Sequence, residues 1–60
     1  MSITKLFTVK EVADLLKLNI LTVYEYIRKN QLSAVKFGRY YRIEEYDLER
    51  FIAVHKTNIK

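Results

Sequence analysis

Sixty residues, with eleven Lys and Arg against seven Asp and Glu, leave a formal net charge of +4, and half of the side chains are apolar. A chain of this length forms one small domain that buries only about 60% of its unfolded surface, which excludes a deep substrate cavity plus a second module. Without cysteine and with a single histidine, it has no disulfide framework, thiolate metal site or histidine-rich metal site, and no cofactor is expected.

The longest uninterrupted apolar run, Phe51 to Val54, is far short of the roughly 20 residues of a membrane span. Met1 to Phe7 lacks the apolar stretch of a secretory signal. The expectation is a cytoplasmic single domain over 1–60 with an ordered core at about 6–55 and no membrane partner.

The first helix is announced by Thr8-Val9-Lys10-Glu11, a capping box in which the Thr8 hydroxyl and the Glu11 carboxylate serve each other's backbone amides. Phe7 and Val12 have the spacing of a hydrophobic staple, and Val12, Leu15 and Leu16 follow as one apolar stripe, so a helix is expected at about 9–17. Leu18 reads as a buried turn residue and Asn19 as the next N-cap. Ile20 to Lys29 forms the second helix, with Val23, Ile27 and one of Tyr26 or Ile20 inward, and Asn30 suits the left-handed position that ends it. Two amphipathic helices separated by two or three residues are a helix-turn-helix candidate.

From Ser33 the apolar period changes to two, and Ala34 to Phe37 and Tyr41 to Ile43 flank the lone glycine, Gly38, as a hairpin. A two-residue Gly38-Arg39 turn pairs Phe37 with Tyr40 and Val35 with Arg42. A three-residue loop or a bulge instead buries Val35, Phe37, Tyr41 and Ile43 on one face, and the hydrophobic pattern favours this second register. On it Lys36, Arg39, Tyr40 and Arg42 all face outward. The last helix, about 44–55, opens on Glu44, Glu45 and Asp47, which suit its dipole, and carries Leu48, Phe51, Ile52 and His55 as its stripe; Lys56 to Lys60 is expected to fray.

Charge is unevenly spread. Residues 20–43 hold Arg28, Lys29, Lys36, Arg39 and Arg42 against Glu25 alone, a net of +4, whereas 44–52 hold four carboxylates against Arg50, a net of −3. Those carboxylates serve the helix start and solvation, His55 suits a helix C-terminus, and no serine or lysine sits beside a base, so enzyme activity is not expected. The basic middle fits a polyanion.

A B-DNA major groove about 12 Å wide admits one helix. On the second helix Thr22 and Glu25 offer base-edge hydrogen bonding, Glu25 by accepting from cytosine N4. Arg28 suits guanine or a phosphate, Leu21 a thymine methyl or sugar, and Tyr24 and Lys29 phosphates. The competing reading of this face is ordinary helix surface with a Glu25–Lys29 ion pair. Beside such a helix, the hairpin residues Lys36, Arg39, Tyr40 and Arg42 form a wing that reaches backbone phosphates or places Arg39 in a minor groove. Tyr41 is assigned to the core.

The run Phe7 to Leu16 resembles the opening helix of the excisionase-type, MerR-like winged helix-turn-helix family. Thr22-Val23-Tyr24 with Ile27-Arg28 resembles its recognition helix, Leu32 and Ala34 to Arg39 with Tyr41-Arg42-Ile43 its wing, and Asp47 to Ile52 its closing helix. Asn19 stands where the family usually has serine, and Ile20 and Leu21 replace small or basic residues.

The resemblance implies an α+β fold and a sequence-specific binder of double-stranded DNA, associated with the nucleoid when bound. Its role would be that of a recombination directionality factor that binds cooperatively beside neighbouring copies of itself, bends DNA and works with an integrase. The alternatives are a small transcriptional regulator of a mobile element and a protein-interaction module in which Leu21, Tyr24 and Tyr40 dock a partner. No small-molecule effector is evident, and with so little chain past the last helix, assembly on tandem sites is expected rather than a dimerisation arm.

Overall fold

A computed structural model describes residues 5–56, and the expected fraying beyond Lys56 lies outside them. The elements in chain order are β1 (Leu6–Thr8), α1 (Val9–Leu16), α2 (Ile20–Arg28), β2 (Val35–Phe37), β3 (Tyr40–Glu44) and α3 (Glu45–His55).

Local chemistry sets most of the boundaries. At the start of α1 the Glu11 amide donates to Thr8 Oγ1 at 3.0 Å and the Thr8 amide donates to Glu11 Oε1 at 2.8 Å, so the capping box is closed. The helix ends where Lys17 turns left-handed at φ 57°, with the Lys17 amide donating to the Asp14 carbonyl and the Leu18 amide to the Ala13 carbonyl. Asn19 then caps α2 by accepting from the Leu21 amide at 2.8 Å. Asn30, at φ 61°, closes that helix: its amide donates to the Ile27 carbonyl and the Gln31 amide to the Tyr26 carbonyl. Asparagine tolerates this conformation better than most non-glycine residues. Three residues, Lys17 to Asn19, therefore turn the chain from α1 into α2.

A third strand completes a sheet that the hairpin alone does not account for. β3 lies in the centre, antiparallel to β1 on one side and β2 on the other. β1 pairs with the far half of β3, Leu6 opposite Glu44, Phe7 opposite Ile43 and Thr8 opposite Arg42. The Glu45 amide donates to the Lys5 carbonyl at 3.0 Å, tying the start of α3 to the same edge.

The hairpin takes the two-residue turn, pairing Phe37 with Tyr40, Lys36 with Tyr41 and Val35 with Arg42. Gly38 has φ 62°, and Arg39 is not among the positive-φ residues. Glycine at the first central position followed by a residue at negative φ is the pattern of a II′ hairpin turn. This corrects the register favoured by hydrophobic alternation. Directly opposed residues share a face and successive residues alternate, so Tyr41, Ile43 and Phe7 lie on the core side of the sheet, and Lys36, opposite Tyr41, lies on that side at its exposed margin. Val35, Phe37, Tyr40 and Arg42 lie on the reverse, and Phe37 is 54% exposed rather than buried.

The core consists of Val9, Val12, Ala13, Val23, Ile27, Leu32, Ile43, Leu48 and Phe51, with Phe7, Leu16, Tyr26, Ala34 and Tyr41 packed around it. Tyr26 rather than Ile20 supplies the third inward position of α2, through edge-on contact with Phe51. Three expected core residues lie outside: Leu15, Leu18 and Ile52 are all exposed. Their stripes are wider than the contact between the elements, because a domain this small cannot cover every apolar position. His55 continues the α3 stripe as expected, its ring tilted against Phe51 and edge-on to Tyr26.

Candidate nucleic-acid interface

The second helix displays an exposed face whose geometry follows from its buried one. Val23 and Ile27 point into the core. At about 100° per residue the direction opposite their midpoint is that of residue 25. Glu25 therefore occupies the apex of the outward face, with Leu21 and Arg28 on one flank, Thr22 and Lys29 on the other, and Tyr24 at the margin. Leu21 is 69% exposed, Thr22 and Glu25 are half-buried, and Arg28 and Lys29 are exposed. The Arg28 guanidinium donates to Glu25 Oε2, and the Lys29 ammonium lies 3.9 Å from Glu25 Oε1. The Glu25–Lys29 ion pair of the helix-surface reading is thus formed, together with a tighter one to Arg28.

The hairpin stands beside this helix. Tyr24 and Tyr41 meet edge to face with ring centroids 6.2 Å apart, joining α2 to the central strand. Lys36 lies on the same side, its ammonium 5.8 Å from the Tyr41 ring centre. Between the end of α2 and the wing runs an open cleft of about 440 Å³, lined in part by Arg28, Asn30, Ser33 and Tyr41.

The four wing residues expected to face outward together are divided between two faces. Lys36 is on the side toward α2, Arg39 is in the turn, and Tyr40 and Arg42 are on the reverse. Arg42 is half-buried: its guanidinium donates to its neighbour's carbonyl, that of Tyr41, at 2.8 Å and lies 5.8 Å from the Tyr40 ring centre. The exposed cations next to the helix are accordingly Arg28, Lys29, Lys36 and the turn residue Arg39.

Sequence reasoning placed Tyr41 in the core and missed that its ring also meets Tyr24. Asn30 and Ser33 were not singled out as site residues either, since a helix-ending asparagine and a loop serine carry no periodic signal. Among the described residues no cluster of His, Asp and Glu is arranged to hold a metal ion, and no helix is long and apolar enough to cross a membrane.

A family model described as a helix-turn-helix domain matches residues 6–55. The chain belongs to the helix-turn-helix domain family. This membership supports DNA binding and a DNA partner. The chain is also similar to an uncharacterized Bacillus subtilis protein, YvgK, with 43% identity across all 60 residues. Those 60 residues correspond to only 18% of that relative, so the chain spans less than a fifth of the protein it matches. No solved structure matches significantly.

Proposed function

We propose that this domain binds double-stranded DNA sequence-specifically, with α2 in the major groove and the wing on the flanking backbone. The recognition residues are Leu21, Thr22, Tyr24, Glu25, Arg28 and Lys29, and the wing residues on the same side are Lys36 and the turn residue Arg39; of the four expected wing contacts, Tyr40 and Arg42 sit on the reverse face, outside this surface. One observation carries the proposal: the exposed face of α2 and the Lys36 side of the wing are neighbours, held together by the Tyr24–Tyr41 contact, and share the chain's excess of cations. A surface that presents a helix to a groove and cations to the adjacent strand matches the division between base readout and phosphate positioning.

The biological role we assign is that of an excisionase-like, MerR-like directionality factor. Neighbouring copies bind adjacent sites, bend the DNA and assist an integrase of a mobile element. The support is the resemblance of residues 6–53 to that family. The test is binding to a duplex across a salt series. Affinity should fall by roughly 0.9 log units per log unit of salt for each phosphate neutralised, and affinity that is absent or independent of salt rejects DNA binding.

A second reading, a transcriptional regulator, is favoured by the relative in which the matched segment is a small part of a much longer chain. Footprinting separates the two. Adjacent direct repeats with phased bending support the architectural role, and a single palindrome at a promoter supports the regulator.

A further inference from the structure

We infer that Glu25 is the residue that makes this surface selective: it holds Arg28 and Lys29 in the free protein and releases them to phosphates where a base edge offers an exocyclic amino group in their place. The inference rests on the DNA-binding reading above and specifies what the apex of α2 reads. Three observations lead to it.

Glu25 is the one carboxylate between Asp14 and Glu44, in a stretch otherwise charged only by cations. It sits at the apex of the outward face, the position that goes deepest when this face enters a groove, while Arg28 and Lys29 diverge to either flank. Both of its oxygens are engaged, Oε2 by Arg28 and Oε1 by Lys29.

A carboxylate at that position opposes DNA in two ways. It meets a groove floor rich in acceptors, the N7 and O6 of guanine, the N7 of adenine and the O4 of thymine, against which it gains nothing. It also neutralises part of the positive charge that would otherwise bind any phosphate backbone. The floor offers only two donors to offset this, cytosine N4 and adenine N6. Where one of them meets Glu25, the carboxylate keeps a partner as the flanking cations swing to the phosphates.

The exchange is feasible because both ion pairs are open to water. The Arg28, Lys29 and Glu25 side chains are 73%, 64% and 47% exposed, and pairs this exposed are held weakly. Glu25 thus lowers affinity for wrong sequences more than for right ones, which is how discrimination is obtained by penalising competitors.

The experiment compares the wild-type chain with Glu25→Gln, Glu25→Ala and Glu49→Gln. Each is measured on a random-sequence duplex and on a site selected by the wild type from a randomised library. On the random duplex both Glu25 variants should bind about tenfold more tightly at low salt, with the log–log salt slope steeper by up to about 1.8, or 0.9 for each cation released. Glu49→Gln removes the same charge from α3 and should change neither quantity.

At the selected site, replacing the base pair that supplies the amino group should weaken the wild type and leave Glu25→Ala unaffected. A required cytosine assigns N4 and a required adenine assigns N6. Three results overturn the inference while leaving DNA binding standing. These are an unchanged slope in both Glu25 variants, an equal gain from Glu49→Gln, or a selected site whose discrimination survives in Glu25→Ala. If the wild type binds no duplex at all, the DNA-binding reading falls first and the inference with it.

Discussion

The root and the tip of the wing belong to the same hairpin and do opposite things with apolar side chains. At the root, Ile43 is fully buried, pairs with Phe7 across the strand boundary and sits among Val12, Val23 and Leu32. At the tip, Phe37 and Tyr40 form a cross-strand pair that is more than half exposed. Hydrophobicity alone does not separate the two. Position in the hairpin does, because β1 pairs with the far half of β3, whereas the turn end is flanked by β2 alone. The difference is between a region that holds the fold together and one whose residues are available to something else.

Substitutions along the hairpin sharpen that contrast. Ile43→Ala should be the most damaging, costing about 2–5 kcal/mol. Since domains below 70–80 residues rarely draw more than about 3–5 kcal/mol from their core, thermal and urea unfolding should show this variant largely unfolded at room temperature. If Ile43→Ala kept a cooperative transition near the wild-type midpoint, the root would not be what holds the sheet.

Arg39→Ala should do the converse. Stability should stay within about 0.5 kcal/mol, while affinity for every duplex falls and the salt slope shrinks by roughly 0.9. Unchanged binding would remove the tip from the interface.

Gly38→Ala lies between these. Nothing lies within 4 Å of the added Cβ, so the cost is conformational alone. With φ at 62°, an L-residue should lose about 1–2 kcal/mol, measurable by denaturant titration. The smallest effect is expected for Phe37→Thr, within about 0.5 kcal/mol, because the ring is largely in water already and threonine suits a strand. A larger loss would mean that the outer face of the wing contributes to folding after all.

The same contrast explains which parts of the fold were legible in the sequence. Caps are local chemistry, so Thr8, Glu11, Asn19 and Asn30 took up their expected roles without reference to anything distant. The outward face of α2 was legible for the same reason, since two buried positions on a helix define the opposite side. Strand β1 was missed because three residues have no period to read and their partner, the far half of β3, is remote in sequence.

The hairpin register went to the wrong alternative for a physical reason. Alternation points to burial, whereas the turn chemistry of Gly38 decides the pairing and leaves Phe37 in solvent. That choice also carried Lys36 and Arg42 to opposite faces, which no composition or charge count could reveal.

Lys17 offers a consequence of another kind. A lysine held at φ 57° gives up conformational energy that glycine would not. Its place is the bend between α1 and α2, outside both helices and the wing. Lys17→Gly should therefore raise the unfolding midpoint, by the equivalent of roughly 0.5–1 kcal/mol. This short bend is a built-in reserve, a site where a chain with little stability to spare gains some by a change of backbone preference in a three-residue connection.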